Sequence, residues 1–201
     1  MGGGGDGGQG AAQRNEAARQ AGIDRTITDI NRLYDSEGRR KQVTDYGADL
    51  LSYFTGDLNK QKTIADRDSK FALARSGQTG GSLAIDQGRQ LGTDYQEGLL
   101  EAGRRAQSGM ADLTAADEQS RLNLTSLAQN GLSATNAATQ AAAAMRSALD
   151  NASATNKAMG LGNLFDSVTK AKTASETAAE KRRADRVYAQ PYTPFYGFGG
   201  G

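Results

Sequence analysis

The sequence predicts an all-α chain with a long antiparallel helical hairpin, further helices, a glycine-rich flexible N-terminus and an extended Pro/aromatic C-terminal tail. Apolar side chains recur every three or four residues over most of the 201 positions, which is the helical period. A glycine-rich break at 76–82 separates the two longest periodic stretches. No segment alternates with a period of two over a useful length, so β structure is expected to be minor.

The composition predicts a thin core. Apolar residues make up 37% of the chain, below the roughly 45–50% of ordinary globular domains. Much of that share is Ala, which buries little area. We therefore expect a narrow seam between long helices, which other copies or other proteins would cover.

The residue types that are missing exclude several classes of site. The chain has no Cys and no His, so no disulfide, zinc site or cofactor is predicted. Acid–base and nucleophilic catalysis lose their commonest side chains, and an enzyme is not expected. Carboxylate pairs such as Asp66 with Asp68 and Asp117 with Glu118 are expected to lie on a solvated surface.

Charge and hydropathy exclude two further classes. The 24 basic and 23 acidic residues give a net charge of +1, which excludes a generally basic nucleic-acid coat. The N-terminus has no Sec-type leader, and no apolar run is long enough to predict a conventional transmembrane helix.

The first elements are a tail and a helix. Residues 1–10 are almost all Gly and predict a disordered tail. An elongated helical region then spans 11–188, and its first helix is expected over 11–35. The apolar face of that helix is formed by Ile23, Ile27, Ile30 and Tyr34.

The hairpin is predicted over 37–129, with one helix before the turn at 76–82 and one after it. Glycines can end the first helix, and Ser82 can cap the second. At 1.5 Å per residue the second helix is about 70 Å long. Further breaks are expected near 130, at Asn130-Gly131, and near 160, at Gly160-Leu161-Gly162.

Small residues on the second hairpin helix predict close packing against other copies. Two glycines four residues apart let helix backbones approach. The predicted oligomer-packing residues are Gly88, Leu91, Gly92, Tyr95 and Leu99. The alternative is a loosely packed, partly frayed helix.

An uncharged stretch of 24 residues covers 122–145. It is too polar to enter a membrane alone, but an oligomer can bury its polar groups and present an Ala/Leu face to lipid. The alternative is an Ala-rich helix packed in a protein bundle, which the polar content favours.

The C-terminal segment 189–201 is predicted to be an extended docking tail, since aromatic rings offer large contact area with few rotors. The predicted partner-binding residues are Tyr188, Tyr192, Phe195, Tyr196 and Phe198. A basic run precedes them and predicts contact with phosphate or an acidic partner; it consists of Lys181, Arg182, Arg183 and Arg186. The alternatives are a disordered tail and a cationic helix end that opposes the macrodipole.

Taken together, these features resemble the small internal virion, or DNA-ejection, proteins of short-tailed bacteriophages. The resemblance is carried by the Ala-rich segment 137–145, the charged helical stretch 59–68, the turn at 74–82 and the Met-Gly-Leu-Gly segment 159–162. It spans residues 11–180 and leaves both terminal tails outside. A cellular coiled-coil subunit fits less well, because sustained Leu heptads are absent.

The resemblance implies a structural virion protein that assembles as a homo-oligomer and takes part in DNA ejection by forming part of a conduit across the host envelope. It implies a place in the virion and, after ejection, in the host cell envelope. The implied partners are other virion proteins (portal, tail or other ejection proteins), a host membrane and, non-specifically, DNA. The alternative is a static tail or head–tail adaptor component bound to the portal or nozzle.

Overall fold

A computed structural model of the chain describes residues 6–77, 79–165, 177, 180, 181 and 183. It confirms the all-α prediction, because these residues form long helices and no strand. The four helices are α1 (Asp6–Tyr34), α2 (Glu37–Ser76), α3 (Ser82–Gln129) and α4 (Ala134–Met159). α1 begins at Asp6, inside the range 1–10 that was predicted to be a tail. Residues 1–5 and the predicted docking tail at 189–201 lie outside the described residues.

The helix boundaries have local causes. The Ser36 hydroxyl accepts a hydrogen bond from the Arg39 amide at 3.1 Å and caps the start of α2. Gly77 follows α2 with a φ of +73°, and Gly131 follows α3 with a φ of +100°. Both lie in the left-handed region that glycine adopts without strain. The Ser133 hydroxyl accepts from the Asn136 amide and caps α4.

The chain divides into two compact units. Unit 1 comprises Met1–Gly56 and Leu100–Leu161, and unit 2 comprises Asp57–Leu99 and Gly162–Gly201. Helices α2 and α3 therefore contribute residues to both units, whereas the described parts of α1 and α4 belong to unit 1.

Unit 1 contains parts of all four helices. α2 and α3 run antiparallel here, since Arg39 contacts Asp117 whereas the later Leu50 lies beside the earlier Gly109. One core cluster joins α1, α3 and α4, and its buried members are Ile30, Tyr34, Leu124, Ala128, Ala137 and Ala141. Three of these six are Ala, so the core is as thin as the composition predicted.

Unit 2 contains the end of α2, the start of α3 and a short segment after α4. The two helices are again antiparallel. A Cβ at Gly98 would lie 2.5 Å from Leu58 Cδ1, and farther along α2 the Ser69 hydroxyl donates to Gln87 Oε1 at 2.8 Å. The predicted hairpin is therefore present in each unit.

Three glycines mark where side chains press against a helix backbone. A Cβ at Gly47 would collide with Met110, one at Gly98 with Leu58, and one at Gly109 would lie 2.5 Å from Leu50 Cδ1. A side chain at any of these positions would require its neighbour to shift. The glycines of the predicted small-residue pair on α3 are not among them.

Candidate assembly surfaces

The predicted oligomer-packing residues on α3 divide into two groups. Leu91 is buried within its own chain, and Tyr95 is half-buried with its hydroxyl donating to Asn59 Oδ1 at 2.8 Å. Leu99 is also half-buried. Gly88 and Gly92 are exposed.

An open face remains on α3. A Cβ built at Gly88 or Gly92 meets no atom within 4 Å. Ile85, three residues before Gly88, is 64% exposed. Residues three and four apart share one side of a helix, so we call Ile85, Gly88 and Gly92 the open face of α3. A second helix can approach its backbone closely.

The uncharged stretch 122–145 is folded back on itself. It crosses the end of α3, the turn at Asn130-Gly131 and the start of α4. Its buried members pack against Ile30 and Tyr34 of α1; they are Leu124, Ala128, Ala137 and Ala141. The protein-bundle alternative is thus the arrangement in unit 1. Among the described residues, no helix is long and apolar enough to cross a membrane.

A buried ion pair joins α2 to α3 in unit 1. The Arg39 side chain is 4% exposed and that of Asp117 is 12% exposed. Arg39 Nε donates to Asp117 Oδ2 at 2.7 Å, and Arg39 Nη2 donates to Asp117 Oδ1 at 2.6 Å. The surface prediction for Asp117 is therefore wrong, whereas its neighbour Glu118 is exposed and pairs with Arg121. Asp117 follows Leu113 by four residues along the apolar stripe of α3, a signal that its position is buried.

The ion pair is part of a larger polar group that we call the Arg39 node. Arg39 Nη1 donates to Gln42 Oε1 at 3.0 Å, and Nη2 also donates to the Met145 carbonyl of α4 at 3.3 Å. One side chain of α2 is thus bonded to both α3 and α4. A buried guanidinium needs such partners, because removing a charge from water is costly.

The Tyr34 side chain in unit 1 carries a buried hydroxyl. Its oxygen is buried and makes no hydrogen bond of ordinary geometry among the described residues. Burial raises the pKa of the Tyr34 phenol, and the nearby Ser120 hydroxyl lowers it in part. Tyr46 differs, because its hydroxyl accepts from Asn156 Nδ2 at 3.0 Å. Burial also raises the pKa of the Tyr46 phenol.

A short non-helical segment of unit 2, Gly162–Phe165, lies against α2 and α3; we call it the strap. Gln61 holds it at two points, since Gln61 Nε2 donates to the Gly162 carbonyl at 2.9 Å and Gln61 Oε1 accepts from the Leu164 amide at 3.3 Å. Phe165 is 3% exposed. A Cβ at Gly98 would lie 3.0 Å from Leu164 Cδ1.

The strap and α2 enclose a groove of about 320 Å³. The strap contributes Gly162, Asn163 and Phe165, and α2 contributes Gln61, Ile64, Ala65 and Asp68. The break near 160 was predicted from the sequence, whereas this contact was not. The signal available was the apolar pair Leu164-Phe165, which follows Gly160 and Gly162 after one intervening Asn.

The basic run and the aromatic tail stay predictions. Lys181 and Arg183 are exposed, helical positions. Arg182 and Arg186 lie outside the described residues, as do the five aromatic residues Tyr188, Tyr192, Phe195, Tyr196 and Phe198.

Comparison of the chain with protein-family models, with curated proteins and with solved structures found no match. Within the described part of the chain, no group of three or more acidic side chains is placed to hold a metal ion. The described residues present three candidate assembly surfaces: the open face of α3, the strap with its groove, and the exposed apolar side chains.

Proposed function

We propose that this chain is a structural virion protein of a short-tailed phage that assembles as a homo-oligomer and takes part in DNA ejection as part of a conduit across the host envelope. The open face of α3 carries the assembly part of the proposal. Gly88 and Gly92 are exposed with empty space beyond them, and Ile85 beside them is 64% exposed. A helix of another copy packed there would cover Ile85 and approach the α3 backbone.

Exposed apolar side chains elsewhere support the same role. Leu100 is 68% exposed, Phe71 is 56% exposed and Ile64 is 52% exposed. Ile64 and Phe71 lie seven residues apart on α2 and so share one side of that helix, whereas Leu100 lies on α3. The sequence resemblance to internal virion proteins supports the part played in DNA ejection.

The assembly proposal is tested by light-scattering mass of the purified chain. We expect an oligomer, and we expect Gly92→Leu to weaken association about tenfold by filling the space that a neighbouring helix needs. The matched control is Gly22→Leu on α1, also exposed with nothing nearby, which should leave the mass unchanged. A monomeric wild type at high micromolar concentration would contradict the proposal.

One observation favours a static tail or head–tail adaptor component as a second candidate. The uncharged stretch 122–145 was the region proposed for lipid contact, and its Leu124, Ala128, Ala137 and Ala141 side chains are used inside unit 1. An adaptor needs only such protein–protein packing.

Two measurements separate the candidates. Flotation of the chain with anionic liposomes, over a range of pH and salt, should succeed for a membrane conduit and fail for an adaptor. Mass spectrometry of particles before and after DNA release should show loss of the chain if it is ejected and full retention if it is an adaptor.

A further inference from the structure

The strap is bound to α2 and α3 in the way that an extended peptide is bound by a protein, through its backbone polar groups and a buried aromatic side chain. The strap is extended and non-helical, and its backbone carbonyl at Gly162 and amide at Leu164 are both bonded by the Gln61 side chain. Phe165 supplies an apolar anchor that is 3% exposed. Gly98 leaves space for the half-buried Leu164. The strap is therefore held on α2 and α3 through its backbone polar groups and through Leu164 and Phe165.

The strap is joined to α4 by a hinge of two glycines. Gly160 has φ +50° and ψ −175°, and Gly162 has φ +73°. Both φ values lie where L side chains are disfavoured. The division between the two units falls at this hinge, between Leu161 and Gly162.

We infer that copies of this chain exchange their straps, so that the strap of one copy packs against α2 and α3 of another. This inference rests on the proposed self-assembly and names the way in which the copies are joined. Every contact of the strap can be made by the identical α2 and α3 of another copy, and only the hinge conformation differs. Exchange of an identical element is a low-cost route to oligomers, since it needs no new interface.

The hinge glycines determine the balance between two forms. In the closed form the strap packs on its own chain, and in the exchanged form it packs on another copy. The closed strap requires the left-handed φ values at Gly160 and Gly162. An exchanged strap can leave its own chain through an extended hinge, which any residue can adopt. Replacing Gly160 by Ala should therefore disfavour the closed form and shift the balance about tenfold toward exchange.

The test uses full-length chains with single introduced thiols, because the natural chain has no Cys. One chain carries Ile64→Cys and the other carries Asn163→Cys, two positions that line the same groove. The two chains, one of them ¹⁵N-labelled, are unfolded together, refolded and oxidised. The control replaces Ile64→Cys by Thr63→Cys, an exposed neighbour on α2 that does not line the groove.

Exchange predicts a disulfide-linked mixed dimer for the Ile64→Cys pair and little for the Thr63→Cys pair. Adding Gly160→Ala to both chains should raise the mixed product severalfold. Circular dichroism of each variant checks that the helices are intact. The double variant Ile64→Cys/Asn163→Cys on one chain reports the closed form by an intramolecular link.

The outcomes separate this inference from the proposed function. An oligomeric mass in which only intramolecular disulfides form overturns strap exchange and leaves self-assembly standing. A monomeric mass in every condition, including Gly160→Ala, overturns both. A mixed dimer equal in yield for Ile64→Cys and Thr63→Cys shows random collision of the chains and also overturns exchange.

Discussion

The same two helices, α2 and α3, are covered differently in unit 1 and in unit 2. In unit 1 they meet α1 and α4, and Leu50 and Leu113 are completely buried. In unit 2 the described cover is the strap of four residues, and Leu58 is again completely buried. Each unit also leaves large apolar side chains exposed, among them Ile64, Phe71 and Ile85 in unit 2 and Leu100, Leu122 and Met159 in unit 1. The same hairpin thus packs in two ways, against two further helices in unit 1 and against a short strap in unit 2.

The largest change in stability is expected when the Arg39–Asp117 ion pair of unit 1 is broken. Asp117→Ala should lower the free energy of unfolding by about 3–5 kcal/mol, because Arg39 would stay buried without its counterion. Urea unfolding followed by circular dichroism measures it. Glu118→Ala, at the exposed neighbour, is the control and should change stability little.

The same experiment has a compensating variant. Arg39→Met combined with Asp117→Leu removes both charges and keeps apolar volume, so most of the stability should return. If the double variant is as unstable as Asp117→Ala, the loss comes from packing rather than from an unpaired charge.

Glycine-to-alanine changes compare the two units directly. Gly109→Ala in unit 1 should lower stability by about 1–3 kcal/mol, since its Cβ would press on the fully buried Leu50. Gly98→Ala makes a similar collision in unit 2 with Leu58, which is also fully buried. It should cost less, because the other side chain that it meets is Leu164 of the non-helical strap, which can shift. Gly103→Ala, where nothing lies within 4 Å, should stabilise α3 by roughly 0.5–1 kcal/mol.

Thermal and urea unfolding of the three alanine variants measure these changes in stability and show which variant loses most. Equal losses for Gly98→Ala and Gly109→Ala would show that the two units are packed equally tightly around these glycines.

Two phenol-to-phenyl changes test how completely unit 1 satisfies its polar groups. Tyr34→Phe removes a buried hydroxyl that has no hydrogen bond of ordinary geometry among the described residues, so stability should stay equal or rise by about 1 kcal/mol. Tyr46→Phe leaves Asn156 Nδ2 without the Tyr46 acceptor and should lower the free energy of unfolding by about 1 kcal/mol. The urea midpoints of the two variants show whether each change stabilises or destabilises the chain. A clear loss for Tyr34→Phe would show that its hydroxyl is bonded to Ser120.

The smallest change in stability is expected from protonation of Glu16 in the first part of α1, where residues 11–22 are exposed. Hydrogen bonds from Arg19, then from Gln20, lower the pKa of Glu16 from 4.5 to about 2. A depressed carboxyl pKa stabilises the helix above pH 4.5, and the contribution is lost as the pH falls to about 2. The pair is fully solvated, so the effect should be confined to local fraying.

An NMR titration of the Glu16 carboxyl carbon measures that shift. Arg19→Gln should move the Glu16 midpoint back toward 4.5, whereas Arg14→Gln should leave it in place. An unchanged midpoint in Arg19→Gln would show that the ion pair does not form in solution.

The helix boundaries were predicted from the sequence to within one residue for α2 and α3. The predicted ranges 37–75 and 83–129 became Glu37–Ser76 and Ser82–Gln129, because periodicity and glycine breaks are local signals. The Arg39–Asp117 pair joins residues 78 positions apart, and local periodicity does not encode the register between two helices.

The packing glycines show the same limit. Gly88 and Gly92 have the small-xxx-small spacing, yet Gly98 and Gly109 are the positions where another side chain presses on α3. A straight helix drifts by roughly 20° per seven residues relative to a strict repeat. Spacing alone therefore does not show which glycine faces α2.

The Arg39 node has a consequence for how unit 1 opens. One guanidinium is bonded to both Asp117 and the Met145 carbonyl, so α3 and α4 are both attached to the same side chain of α2. Backbone amides around residues 117 and 145 should then exchange with deuterium in one cooperative event at a common rate, as members of one foldon. Substituting Arg39 would split that event into two, with the α4 amides exchanging first.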